Sequence, residues 1–308
     1  MENGKLSFTL TKNQNDFLEN TIDRLNLLVK DILAKKELRN LDKGFVMEKV
    51  KKYIITHKKI NKKLKQRKYS EFKRSKEHKE LIKKIRAELR EVYGVFILRG
   101  YDKLPKLLKE LRKNPSIENH NKILALHKST KERLPYYALV YKKIFEITGK
   151  PNRIIDLACG LNPFSYPYVA NLGCEPEYLA CDLADKDLEY IKEYFRIMGI
   201  KGSTKKINLI KSNLFDVKKL KEVENQYALV LLLKTLDSLE TVKRNVSKQI
   251  LESIKAEFIV VSFSTKSLGG KKAIHKDRRA WFERLARNQG YQVNIFEIPG
   301  EIFYILTK

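Results

Sequence analysis

The chain has 308 residues, 43% of them hydrophobic, and carries 64 Lys plus Arg against 37 Asp plus Glu, a formal net charge of +27. That length holds one large domain or two ordinary ones, two being expected, and the apolar content excludes a disordered chain. No apolar run reaches the roughly 18–20 residues of a membrane-spanning helix, the start Met1-Glu-Asn-Gly-Lys lacks a basic-then-apolar secretory layout, and three cysteines (Cys159, Cys174, Cys181) make no paired framework, so a cytoplasmic protein is expected.

In chain order, residues 11–36 place Phe17, Leu18, Ile22, Leu25, Leu28, Val29, Ile32 and Leu33 on one stripe at helical spacing. The spacing predicts further helices around Phe45–Leu64, His78–Leu98, Leu104–Leu111 and Ile117–Leu126, punctuated by Gly100, Pro105 and "RKNPS". This helical half holds the charge: residues 1–150 carry 39 basic and 18 acidic side chains, residues 151–308 carry 25 and 19, and residues 51–90 alone carry 17 and 4. Such a field suits a polyanion, because each neutralised phosphate releases counterions; a merely solvated helix face is the other reading. Tyr69, Phe72 and Tyr93, set among these charges, are either stacking residues for bases or core.

After Lys150 the texture changes to short β-branched runs alternating with helical patterns: "RIIDLA", "YLACDL", "KINLI", "YALVLLL", "EFIVVSF", then "YQVNIFEI" and "IFYILT". Near-continuous apolar runs read as buried parallel strands, with crossover helices such as Lys186–Met198 between them. Only "PGE" separates the last two runs, which predicts an antiparallel hairpin. The expectation is a mostly parallel seven-stranded sheet with one antiparallel strand, the methyltransferase variant of the doubly wound α/β fold, following an all-helical basic region.

In such a sheet the ligand lies beyond the strand ends, where the first strand turns into its helix. Residues 154–163 are that turn: Gly160 permits close backbone approach and Pro163 suits a first helical position. A single glycine is not a dinucleotide fingerprint, so pyrophosphate is disfavoured. Asp182 ends the next strand 22 residues beyond Gly160, the spacing of a carboxylate that accepts from ribose hydroxyls; capping the helix that begins near Asp185 is the alternative role.

Four segments, "LHKSTKERLPYY" (126–137), "DLACGLNPF" (156–164), "LLLKTLDSLE" (231–240) and "VVSFSTKSLGG" (260–270), resemble in order the motifs of the aminoglycoside-resistance 16S rRNA methyltransferases. The resemblance runs from about residue 70 to the C-terminus. It implies a Rossmann-like class I methyltransferase domain over 127–308 and an RNA-docking region over 1–126. It further implies S-adenosylmethionine as cofactor, and as substrate N7 of a decoding-site guanine, conventionally numbered 1405, in the 16S rRNA of the 30S subunit, met by a monomer. Carried over residue by residue, Arg133 would contact the methionine carboxylate. Asp156 would shape the loop, Ala158 and Gly160 would line it, Asp182 would take the ribose, and Asn213-Leu214 would lie near the adenine, where the family has Asp-Leu. Lys234 and Glu240 resemble the active-site pair, with Glu240 accepting from guanine N1–H and the amine and Lys234 donating to O6 or to a neighbouring phosphate. Lys266 stands where the family can place an Arg that holds the target nucleotide, and Asp237-Ser238 replace a Pro-Cys.

Because guanine N7 has a lone pair and no proton, the reaction requires no general base, and the expected residues are orienters rather than nucleophiles. The five histidines and three cysteines show no metal spacing. Two other functions stay open on the residues: methylation of another RNA position, and a non-catalytic RNA-binding ribosome-assembly factor.

Overall fold

The computed structural model describes residues 12–210, 228–266, 273–274 and 276–308, and the chain divides into two units, Met1–Arg90 and Glu91–Lys308. In the first, the amphipathic spacing produces α1 (Lys12–Leu33), α2 (Lys43–Thr56), α3 (Lys58–Gln66), α4 (Tyr69–Arg74) and most of α5 (Lys76–Val92). Leu28, Ile32, Val46, Leu64, Phe72 and Leu81 from these helices are almost fully buried. Asp42 caps α2, accepting from the Phe45 amide at 2.6 Å. The one helix expected over 45–64 is broken at His57, whose φ/ψ of −116°/77° ends α2 and precedes α3. Phe72 is core and so answers to packing rather than to base stacking, while the half-buried Tyr69 donates its hydroxyl to Asp31 at 2.8 Å. Lys58, Lys62, Lys68, Lys79 and Lys83 are exposed.

The second unit is built on a seven-stranded sheet of β1 (Arg153–Leu157), β2 (Glu177–Asp182), β3 (Gly202–Lys206), β4 (Ala228–Leu233), β5 (Phe258–Ser264), β6 (Gln292–Ile298) and β7 (Glu301–Thr307). The spatial order is β3-β2-β1-β4-β5-β7-β6. β1 to β5 run parallel, and β7 lies antiparallel between β5 and β6, as expected of the class I methyltransferase sheet. Successive residues alternate between two buried layers, because strand side chains point to opposite faces. Ile154, Tyr178 and Leu229 face one layer, Ile155, Leu179 and Val230 the other.

The first layer is covered by α6 (Leu104–Lys113), α7 (Ile117–Leu124), α9 (Tyr137–Thr148), α10 (Tyr166–Ala170) and α11 (Asp185–Met198); short α8 (Lys128–Arg133) leads into α9. The second is covered by α12 (Leu236–Val242), α13 (Val246–Ser253) and α14 (Ala280–Asn288). Leu104, Leu108, Ile123 and Leu124 share one core with Ile154 and Tyr178. The structural division therefore falls at Arg90/Glu91, ahead of the 126/127 boundary expected from sequence texture, because α6 and α7 are helices of the sheet's own layer. Tyr93 belongs to the second unit, its hydroxyl donating to Asp187 at 2.6 Å.

One strand shifts. "KINLI" (206–210) was expected to pair, but β3 is the polar run Gly202–Lys206, while Ile207 and Leu209 lie buried just beyond it. As an edge strand β3 needs no apolar run to pair, and its charged side chains discourage further pairing.

Candidate active site

The parallel order reverses between β1 and β4, and the crevice at their carboxyl ends is where ligands of this fold class sit. Each strand is followed at once by a non-glycine residue with left-handed backbone, Ala158 at φ 58° and Lys234 at φ 53°, a conformation that costs on the order of 1–3 kcal/mol and clusters at functional sites. Between Ala158 and the next 3₁₀ turn comes Gly160 at φ 51°. A Cβ there would stand 3.1 Å from Cε1 and Nε2 of His127, so backbone conformation and space both call for glycine. His127 stacks on Phe96, and burial, with Arg133 and Lys234 adding to it, lowers its pKa to about 3, keeping the ring neutral.

Asp182 ends β2 beside this turn. Its Oδ2 accepts from the Gly160 amide at 2.9 Å, and its Oδ1 from the Leu183 and Ala184 amides at 2.7 and 3.1 Å. Burial raises its pKa while these three amides pull it back. The helix-cap reading gives way: α11 starts after Ala184 with no side-chain cap, and Asp182 ties two turns together. A carboxylate has about four acceptor positions, so Oδ2 retains one for a hydroxyl. The cradle at Gly160 and this half-buried acceptor fit the ribose of S-adenosylmethionine.

Next to the turn lies a buried polar hub. Arg133, 1% exposed, gives Nε and Nη2 to the Glu301 carboxylate at 3.2 and 2.7 Å. Its Nη1 donates to Asn162 Oδ1 at 3.1 Å and to the Tyr137 hydroxyl at 3.4 Å. Burial opposes the guanidinium charge, but Glu301 outweighs it and holds the pKa above the ordinary range. Thus the fork expected to meet a cofactor carboxylate is engaged by Glu301. Asn162 also donates to Asp156 at 2.9 Å, and the Tyr178 hydroxyl does so at 2.7 Å, so Asp156 is tied to the residue that follows the glycine turn.

Burial, partly offset by Tyr178, Asn162 and Arg133, raises the Asp156 pKa from 3.8 to about 6. The folded chain therefore holds the extra proton between these values. Stability falls as pH rises through that window, by on the order of 3 kcal/mol, and is flat above it. Asp156→Asn should lack this decline in urea unfolding followed from pH 4 to 8; a constant difference between variant and parent would remove the assignment.

On the β4–β5 side a cleft of about 560 Å³ opens, lined among others by Phe96, Lys128, Glu132, Lys234, Lys266 and Arg279. The Lys234 amide donates to Ser262 O and Oγ, each at 3.0 Å, which fixes its strained turn. Its ammonium lies 2.8 Å from Glu132 Oε2 and 3.3 Å from Glu301 Oε2. Lys266, exposed, lines the cleft after β5. Asp237, which stands for the family's Pro, is paired with Arg279 at 2.6 Å.

One turn along α12, Glu240 accepts from the Asn245 and Ser247 amides at 2.9 and 2.7 Å, bracing the start of α13. Asn213 and Leu214 lie outside the described residues. Sequence reasoning missed Glu301, Glu132, His127 and Arg279. Glu301 alone left a signal, a lone acid opening the apolar run "IFYIL". Among the described residues no group of three metal-ligating side chains occurs, and burial pushes the Cys159 thiol well up, away from nucleophilic use.

The ribosomal RNA methyltransferase (FmrO) family model matches residues 50–305. A Micromonospora echinospora protein named 16S rRNA (guanine(1405)-N(7))-methyltransferase is 29% identical over 235 residues, 74% of this chain and 82% of its own. A Serratia marcescens protein of the same name is 30% identical over 239 residues, 77% of this chain and 87% of its own. Among solved structures, the 16S rRNA methyltransferase RmtF in complex with S-adenosyl-L-homocysteine superposes with a TM-score of 0.69 at 24% identity, covering 93% of this chain and 98% of RmtF. The 16S rRNA methylase ArmA does so with 0.52 at 26% identity, covering 66% and 97%. The match spans the Gly160 turn, the Arg133 hub and the cleft together, and by it this chain belongs to the ribosomal RNA methyltransferase (FmrO) family.

Proposed function

We propose that the protein transfers the methyl group of S-adenosylmethionine to N7 of the guanine equivalent to 1405 in 16S rRNA, in the 30S subunit and as a monomer, a modification that would confer aminoglycoside resistance. The observation that carries this reading is the family match over 50–305, which takes in the cofactor turn and the cleft; the relatives' shared name gives the base and atom.

When bound, the cofactor supplies a sulfonium-activated methyl group. Asp182 would hold its ribose, Ala158 and Gly160 would line its path, and Asn213 with Leu214 would face its adenine. Arg133, engaged by Glu301, would contribute a fixed positive charge beside the turn, and Asp156 would keep Asn162 in place. Lys234 and Lys266 line the cleft where a guanine extruded from the RNA would sit. N7 takes the methyl without losing a proton, so the chain's task is alignment in a pre-formed electrostatic setting.

Within the basic helical region expected over 1–126, the helices of the first unit are the proposed docking surface, since A-form RNA is read mainly through backbone and shape. Neutralising Lys58, Lys62, Lys68, Lys79 and Lys83 to Gln should weaken RNA binding and flatten the log–log salt slope by about 0.7–0.9 for each lysine that meets a phosphate, with cofactor affinity unchanged. An unaltered slope would return these lysines to a solvated face.

Incubation with labelled methyl donor and 30S particles, followed by borohydride reduction and aniline cleavage, tests the whole reading. Label at the 1405-equivalent guanine with chain cleavage there is expected. Label at another nucleotide, or bound cofactor with no transfer, would overturn it.

A further inference from the structure

We infer that Glu132, with Lys234, reads the Watson–Crick edge of the target guanine. The assignment rests on the function proposed above and gives the reading carboxylate a different identity from the one the motif resemblance implied. Glu240 braces the start of α13, each of its oxygens accepting from a backbone amide, and it is not among the residues that line the cleft. Glu132 lines the cleft, is 43% exposed and stands 2.8 Å from the Lys234 ammonium. Lys234 itself is 6% exposed, pinned on its other side by Glu301, which is 1% exposed. An immobile donor beside an accessible acceptor thus faces the cleft.

That order of groups matches one base. Guanine presents, side by side, an acceptor at O6 and donors at N1 and the exocyclic amine. The ammonium donates to O6, and the carboxylate accepts from N1–H and the amine. Adenine reverses the first two positions, setting its N6 donor against the ammonium and its N1 lone pair against the carboxylate. A site built to hydrogen-bond a group rejects the analogue without it, because its own polar atoms are left unpaired.

The same contact favours the reaction. As N7 takes the methyl group, positive charge spreads over the purine and N1–H and the amine become stronger donors. Their bonds to Glu132 tighten toward the transition state, which raises the rate and not only the affinity. Two carboxylates flanking Lys234 also offset its charge where the base becomes cationic.

The experiment compares the parent protein with Glu132→Ala and Glu240→Ala on 30S particles reconstituted with guanosine or inosine at the target position, inosine lacking only the amine. The parent should prefer guanosine roughly tenfold or more in kcat/KM, the worth of a hydrogen bond to a charged group. Glu132→Ala should lose activity on guanosine mainly in kcat and bring the preference near unity. Its S-adenosylhomocysteine affinity in calorimetry should equal the parent's, since the side chain is on the cleft. A preference retained in Glu132→Ala, or abolished in Glu240→Ala alone, would overturn the assignment while leaving the methyltransferase reading intact. Absence of N7 transfer by the parent protein would instead sink that reading, and this inference with it.

Discussion

Replacing Glu301 by Leu should cost about 3–5 kcal/mol of folding stability, the scale for breaking a buried ion pair by removing one partner. The residue is 1% exposed and its two oxygens serve Arg133, Lys234 and the Ser262 hydroxyl. Its loss leaves Arg133, in a side chain that is itself 1% exposed, without a counter-ion and Lys234 with Glu132 alone. Arg133→Met should cost less, because Lys234 at 3.3 Å still faces the remaining carboxylate. In the double variant the two costs should fall short of their sum, since the partners share one network. Urea unfolding of the four proteins measures all of this. Equal costs for the two single changes, or strict additivity, would show that Glu301 is not the common counter-ion.

Asp182→Ala should weaken S-adenosylhomocysteine binding by about 10–100-fold, since the one further hydrogen bond this charged acceptor can take from a ribose hydroxyl is worth about 1.5–3 kcal/mol. The loss has a second source: the Gly160, Leu183 and Ala184 amides that converge on this carboxylate would lose their shared acceptor, and with it the order of the turn. Asp182→Asn keeps an oxygen but no charge, and should fall between the parent and the Ala variant in titration calorimetry. Undiminished affinity in Asp182→Ala would remove the ribose assignment and reopen the location of the cofactor.

Much of this architecture is written in local pattern. "ALVLLL" and "FIVVSF" are buried on both faces and therefore almost wholly apolar, which is why β4 and β5 stand where the runs are. The glycine turn and the acid 22 residues on were legible for a similar reason, since each answers to a backbone constraint within one βαβ unit. Pairings that depend on where distant chain segments meet were not. Glu301 reaches Arg133 across 168 residues, and Glu132 reaches Lys234 across 102. The motif resemblance drew attention to Glu240, whereas its contacts with the Asn245 and Ser247 amides at the next helix left no sign in the local pattern. The 126/127 boundary followed charge and helix content, whereas the core of the sheet recruits helices from before it.

The lysines exposed along the first unit have a consequence beyond the docking proposed for them. A field of that sign attracts transfer and messenger RNA as readily as a ribosomal subunit, and magnesium and polyamines compete with it for the same phosphates. Turnover should therefore peak at intermediate ionic strength, held back by sequestration in dilute buffer and by slow encounter in concentrated salt.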